Sequence, residues 1–164
     1  MTSLEAEITQ LKDQLLRMAG MAESLVVRAV RALVDRDDDL ARSVTAGDEP
    51  LDELEKALDA ASIVLLTKAP LAGQLRLITV VIKITGDLER IGDESTTIAR
   101  RALELGREPQ LKPYQDIPKM SHMATEMLRD ALDAFVHGDT VKARAVIPRD
   151  KAVDALNRSL HQEL

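Results

Sequence analysis

The chain contains no cysteine and no tryptophan. Without thiolates it holds no disulfide frame, thiolate zinc site, iron–sulfur site or cysteine nucleophile. Aromatic residues are nearly absent, Tyr114 and Phe135 being the only two. The core must therefore come from Leu, Ile, Val, Ala and Met, which suits helix packing and counts against a β-sandwich. The three histidines, His122, His137 and His161, are scattered. None forms His-x-x-x-His or completes the Glu-x-x-His pair of helical di-metal sites. Neither Gly-x-Gly-x-x-Gly nor Gly-x-x-x-x-Gly-Lys-Ser/Thr occurs, so no local loop cradles a nucleotide phosphate. Apolar stretches such as residues 77–82 fall far short of a bilayer span, which predicts no membrane insertion. The start, Met1-Thr2-Ser3-Leu4-Glu5, has no basic stretch followed by an apolar one, and a cytoplasmic location is expected.

What is present is globular. The 164 residues are 45% hydrophobic and 30% charged, with a net charge of −6. A chain of this size buries enough surface to fold without a staple. Its acidity argues against nucleic acid or anionic lipid as a default partner.

Apolar residues recur at helical spacing. Leu4, Ile8, Leu11, Leu15, Met18, Ala22, Leu25 and Ala29 alternate steps of four and three, predicting a helix over residues 3–34 with Ser3 as N-cap. Asp37-Asp38-Asp39 reads as a solvated turn and cap. Gly47 and Pro50 disturb the next segment, which predicts one kinked helix, or a short helix and a long one, ending near Lys68 with Pro70 as the stop. Residues 72–105 carry a third seam, closed by Gly106 and Pro109. Its β-branched run, residues 78–82, has a buried strand as rival reading, but the chain offers no partner strand. Ile117, Met120, Ala124, Met127, Ala131 and Phe135 form a fourth seam ending at Gly138. Val141, Ala145, Val153, Leu156 and Leu160 form a fifth, broken near Pro148.

The chain also repeats itself. A shift of 102 residues lays residues 18–62 on 120–164 without a gap, matching among others Ala22 with Ala124, Asp37 with Asp139, Asp48 with Asp150, Asp52 with Asp154 and Leu58 with Leu160. A period this long means two copies of one helical unit. The first copy has three helical segments and the second has two. The predicted fold is all-α: an antiparallel three-helix bundle over residues 1–108, then a partial second copy over residues 113–164.

One constellation carries chemistry. The third seam is apolar until Thr85, Glu89, Gly92 and Thr96. A carboxylate on a buried seam is costly unless paired or bound. Asp93 follows Glu89 by four residues and shares its side of the helix, whereas Asp87 lies round the back. Asp48 and Asp52 are also four apart, and the repeat keeps that pair as Asp150 and Asp154. Antiparallel helices bearing such pairs present four carboxylates to one another, an arrangement relieved by a hard, oxygen-seeking cation such as Fe, Mn, Mg or Ca. Three bland readings stand beside it: Glu89 and Asp93 pair with Lys83, Arg90 or Arg100 on the surface, Asp48 caps a helix, and the methionines fill core.

The run Asp87-Leu88-Glu89-Arg90-Ile91-Gly92-Asp93, followed by Ile98-Ala99, resembles the signature of the PhoU family, regulators of bacterial phosphate uptake. It is similar to the family's Asp-Leu-Glu-Arg-Ile-Gly-Asp stretch, which contains a Glu/Asp-x-x-x-Asp metal motif. Asp48, Asp52-Glu53-Leu54-Glu55 and Arg28-Ala29-Val30 are similar to its other helices. The resemblance implies tandem three-helix bundles, with the sixth helix and its second signature lacking here. Ser95-Thr96-Thr97 also departs from the family's usual Ala-x-Asn.

By resemblance the chain is a cytoplasmic, non-enzymatic negative regulator of phosphate signalling. It is expected to lie between the ATPase of a phosphate ABC transporter and a membrane sensor histidine kinase, and so peripheral to the membrane through these partners. Asp48, Asp52, Glu89 and Asp93 are then candidate ligands for Fe, Mn, Mg or Zn. Asp150 and Asp154 are weaker candidates, because their partner pair is missing. The exposed seam of the second copy predicts a homo-oligomer, at its simplest a dimer. Two other readings remain: a metal-free helical interaction module, and a carboxylate-bridged metalloenzyme.

Overall fold

The first helix, α1 (Ser3–Asp35), is the axis of the molecule. It is 33 residues long, roughly 50 Å at the helical rise. Its seam works as the spacing requires: Leu11, Leu15, Met18, Ala22, Leu25 and Ala29 are all buried. This computed structural model describes residues 3–69, 71–110 and 113–163, with side chains placed as far as residue 160. The Pro70 stop, the side chain of His161 and the end at Leu164 lie outside the described residues, as does the position preceding Ser3. Ser3 itself is the first helical residue, and its hydroxyl donates to the Glu7 carboxylate at 3.2 Å.

After α1 the chain turns at Arg36, the one described non-glycine residue with positive φ (55°). Asp37 then caps α2 (Asp38–Ala46), accepting from the Leu40 N–H at 2.9 Å. The Gly47–Pro50 disturbance produces a break, so two helices form in place of one kinked helix. The Gly47 N–H caps Ser43 and Val44, and α3 (Asp48–Lys68) starts at the next residue. The fourth helix, α4 (Ala72–Leu105), is helical through its β-branched run, so the strand reading of residues 78–82 is set aside.

One ion pair and one set of hydrogen bonds fix the directions. Lys68 meets Glu7 at 2.7 Å, joining the end of α3 to the start of α1, so these helices are antiparallel. Arg36 donates to the carbonyl oxygens of Leu105, Gly106 and Glu108 at 3.2, 2.9 and 2.6 Å, so α1 and α4 end together. The result is an up–down–up bundle of α1, α3 and α4, with α2 packed on α1 and α4. At its centre Leu15, Met18, Leu51, Leu58, Ile78 and Leu88 are fully buried. Buried hydroxyls in α4 bond back to their own helix, Thr85 to the Val81 carbonyl and Ser95 to that of Ile91.

The three Arg36 bonds reach carbonyls at and just past the end of α4, where the helix no longer supplies all the donors; that of Leu105 also accepts from the Glu108 N–H. Arg36→Ala is expected to lower unfolding free energy by about 1 kcal/mol, the scale of exposed charge-assisted bonds. Urea denaturation followed by circular dichroism measures it.

The second unit comprises α5 (Asp116–His137), α6 (Thr140–Val146), a 3-10 turn (Ile147–Arg149) and α7 (Asp150–Glu163). The repeat is visible in its caps: Asp139, the counterpart of Asp37, accepts from the Lys142 N–H at 2.9 Å. Gly138 ends α5 with φ of 68°, a conformation glycine adopts without strain. α5 runs antiparallel to α1, with Arg129 on Glu23 and Lys12 on the Val136 carbonyl. Lys142 and Arg149 both pair with Asp130 and hold α6 and the turn against α5.

The α5 seam differs from the expected one. Thr125, Leu132 and Ala134 are its buried residues, while Ala124 and Ala131 are exposed. The reason lies in the partners available. The face of Met120, Ala124, Met127 and Ala131 corresponds to an α1 face that is fully buried, but here Met120 and Met127 are half-buried and Ala124 and Ala131 exposed. The neighbouring face meets α1 instead.

Candidate functional site

The hairpin of α3 and α4 sets the N-terminal half of α3 against the C-terminal half of α4. Along this edge α3 presents Asp48, Asp52, Glu55 and Asp59 at steps of four, three and four, and α4 presents Glu89 and Asp93. The sequence-predicted quartet of Asp48, Asp52, Glu89 and Asp93 is thus brought to one edge of the bundle. Asp87 lies elsewhere, lining a groove between α4 and α5.

These carboxylates feel one another. Burial pushes the Asp48 carboxyl above its usual range, the charges of Asp52 and Asp93 push further, and Arg100 opposes them. Glu89 is likewise raised by burial, then by Asp93, Glu55 and Asp52 and by its hydrogen bond with Asp93. Glu55 is raised by burial, then by Asp59 and Asp52, with Lys56 opposing and Asp93 adding to the rise. Glu55 therefore belongs to the row. Its position three residues after Asp52, continuing the Asp48–Asp52 stripe, was the available signal.

The surface-pair reading does not describe Glu89 and Asp93: among the described residues neither forms an ion pair with Lys83, Arg90 or Arg100. Arg100 faces Asp48, and its guanidinium reaches Thr96 and Thr97 at 3.4 Å. Nor does Asp48 cap α3. It is the first helical residue, and its buried Oδ1 has no hydrogen-bond partner. A bare carboxylate oxygen in a row of like charges is chemically suited to a hard cation, although the positive end of the α3 dipole opposes one. The arrangement is an open row: among the described residues no three carboxylates or histidines converge closely enough to hold an ion.

Asp150 and Asp154 are exposed on α7, which packs on α5, away from Glu89 and Asp93. His122 and His137 are exposed and lie beside Glu126 and Asp133. Met18 is core, while Met120, Met123 and Met127 are half-buried on α5.

The raised carboxyls carry a pH signature. Between a carboxyl's usual value and its raised value, the folded chain holds more protons than the unfolded one. Stability contributed through Asp48, Glu55 and Glu89 therefore falls as pH rises through that interval. In chelator, Glu89→Gln is expected to melt above wild type at pH 7, and the gap should close as pH falls toward 4.5, the usual value for Glu89. Melting curves of the two proteins from pH 4 to pH 7 measure the gap. Asp130 acts in the opposite direction. Its bonds to Arg149 and Lys142 hold its carboxyl low, so its contribution is lost on acidification.

The PhoU domain model matches residues 15–102 and 117–164. The chain belongs to the PhoU family. It is 39% identical over 159 residues to the phosphate-specific transport system accessory protein PhoU homolog of Aquifex aeolicus, covering 96% of this chain and 72% of that protein. The Escherichia coli K12 accessory protein PhoU is 35% identical over 150 residues, covering 91% of this chain and 62% of that one. The crystal structure of PhoU from Pseudomonas aeruginosa superposes with a TM-score of 0.93 at 35% identity, over 98% of this chain and 78% of the other. The regulatory PhoU of Streptococcus pneumoniae gives 0.92 at 25% identity, over 98% and 76%. This PhoU chain thus spans about two-thirds of the length of the curated relatives it matches. The all-helical bundle fold is the family's.

Proposed function

We propose that the chain is a non-enzymatic regulator of a phosphate transport system. The observation that carries this reading is 39% identity, across nearly the whole chain, to a protein named as an accessory of phosphate-specific transport. Its contacts are the transporter's ATPase and a sensor histidine kinase, and its effect on phosphate-starvation signalling is negative. Both partners present cytoplasmic surfaces, and no described helix is long and apolar enough to cross a membrane. Self-association is supported by the half-open face of Met120, Ala124 and Met127.

Asp48, Asp52, Glu89 and Asp93, with Glu55 beside them, would hold Mn, Fe, Mg or Zn. The bound ion would neutralise the row and turn an acidic edge into an anion-attracting one. Asp150 and Asp154 remain a second, weaker pair. A metal-free interaction module is the alternative, favoured by the absence of a converged ligand cluster among the described residues.

The test is direct binding. The chain is immobilised, and the ATPase and the kinase's cytoplasmic part from the same organism are passed over it, with Mn2+ and with chelator. Saturable binding of either supports the regulator. No binding of either under both conditions contradicts it.

A further inference from the structure

We propose that the outer face of the α3–α4 hairpin docks an amphipathic helix of a partner protein, apolar in one half and rich in Lys and Arg in the other. The inference deepens the reading of the chain as a regulator that acts by protein contact, and it requires no bound cation. The carboxylates occupy only half of a longer stripe. On α3 the spacing that sets Asp48, Asp52, Glu55 and Asp59 on one side continues toward the turn to Ile63 and Leu66. On α4 the side of Glu89 runs back through Gly86 and Ile82 to Leu75 and to Leu71 at the N-cap. Ile63, Leu71 and Leu75 are 61%, 62% and 39% exposed, and Leu66 and Ile82 are half-buried. Five apolar side chains wetted along one stripe mark an interaction face. They stay exposed with every described helix in place: α5 packs on α1, and α6 and α7 pack on α5.

Shape and charge choose the occupant. A trough between two packed antiparallel helices takes the ridge of a third. Gly86, with open space where a Cβ would stand, allows close approach where the apolar half meets the acidic half. From Leu71 to Asp93 the stripe is about 33 Å long at the helical rise, the length of a helix of about 22 residues. The acidic half selects a basic segment. Among the described residues none of its carboxylates forms an ion pair, and Arg100 opposes them only at the Asp48 end. A second copy fits less well, because two-fold pairing of the full stripe lays acid on acid or acid on apolar. The same charges repel an anionic lipid surface.

The test uses the full chain and two fluorescent peptides of about 22 residues, read by anisotropy in chelator, with circular dichroism confirming the fold of each variant. Both peptides carry leucines at steps of three and four in one half. The other half carries lysines at that spacing in the first peptide and glutamates in the second. The lysine peptide should bind saturably and weaken with added salt, and the glutamate peptide should bind about ten-fold more weakly or worse. Ile63→Gln/Leu75→Gln and Glu55→Gln/Asp59→Asn should each weaken the lysine peptide about ten-fold. All four side chains are at least partly solvent-exposed, so the fold should survive both changes. No saturable binding of the lysine peptide, equal binding of the two peptides, or wild-type affinity in either variant overturns the proposal. Self-association lost in Ile63→Gln/Leu75→Gln makes a second copy the occupant and also overturns it. The ATPase and the kinase's cytoplasmic part separate this inference from the reading beneath it. If either binds both variants as it binds the wild type, the proposal falls and the regulator stands. If neither binds the wild type while the lysine peptide behaves as expected, the regulator falls and the docking face stands.

Discussion

Met18→Ala should destabilise the chain by about 2–5 kcal/mol, while Met120→Ala should stay within about 1 kcal/mol. The two methionines are repeat equivalents on equivalent helices. Met18 is fully buried among α1, α3 and α4, so truncation removes apolar surface and leaves a cavity. Met120 is half-buried, so its truncation removes less buried apolar surface and opens space that water can fill. Urea unfolding of both variants gives the comparison. A large loss at Met120 that grows with protein concentration would show that a second molecule covers the face. Equal losses independent of concentration would contradict the packing described for α5.

The second large effect is a stability response to a cation. Mn2+ at about one hundred times its dissociation constant stabilises a single-site protein by about 2.7 kcal/mol. Wild type should gain melting temperature on adding Mn2+. A variant carrying Asp48→Asn, Asp52→Asn, Glu89→Gln and Asp93→Asn should not. In chelator the order should invert, because the variant has lost the partly buried charges, and with them the mutual repulsion, that raise the Asp48 and Glu89 carboxyls. The inversion separates a cation site from a packing role, since a packing defect would lower the variant under both conditions. Differential scanning calorimetry with and without Mn2+ reads both halves.

Much of the fold is legible in the sequence, because the seams of α1 and α4 are long and end in strong stops. Gly106 closes α4 at the expected residue. The Gly47–Pro50 region was less decidable. Proline occupies the first turn of α3, where its missing N–H has no bond to lose, so a break and a kink look alike in sequence. The α5 seam was legible as a repeat of α1 but not as a packed face. Periodicity shows which residues share a face; the neighbouring helix decides which face is buried.

The candidate site divides in the same way. Spacing of four within Asp48–Asp52 and Glu89–Asp93, joined by a hairpin, places both pairs on one edge. Glu55 continues the stripe and was within reach of the same argument. The bare Oδ1 of Asp48 depends on the distance between two helices, which no residue pattern encodes. The exposure of Asp150 and Asp154 on α7 follows from the same limit. The repeat predicts the pair, and only the packing shows that both residues are exposed among the described residues.

The most direct measurement is elemental analysis by mass spectrometry of the purified chain beside Glu89→Ala/Asp93→Ala. The account predicts stoichiometric Mn, Fe, Mg or Zn in the wild type and its loss in the folded double variant. Equal metal content in the two proteins, or none in a wild type that also fails to take up Mn2+, would contradict the carboxylate row as a cation site.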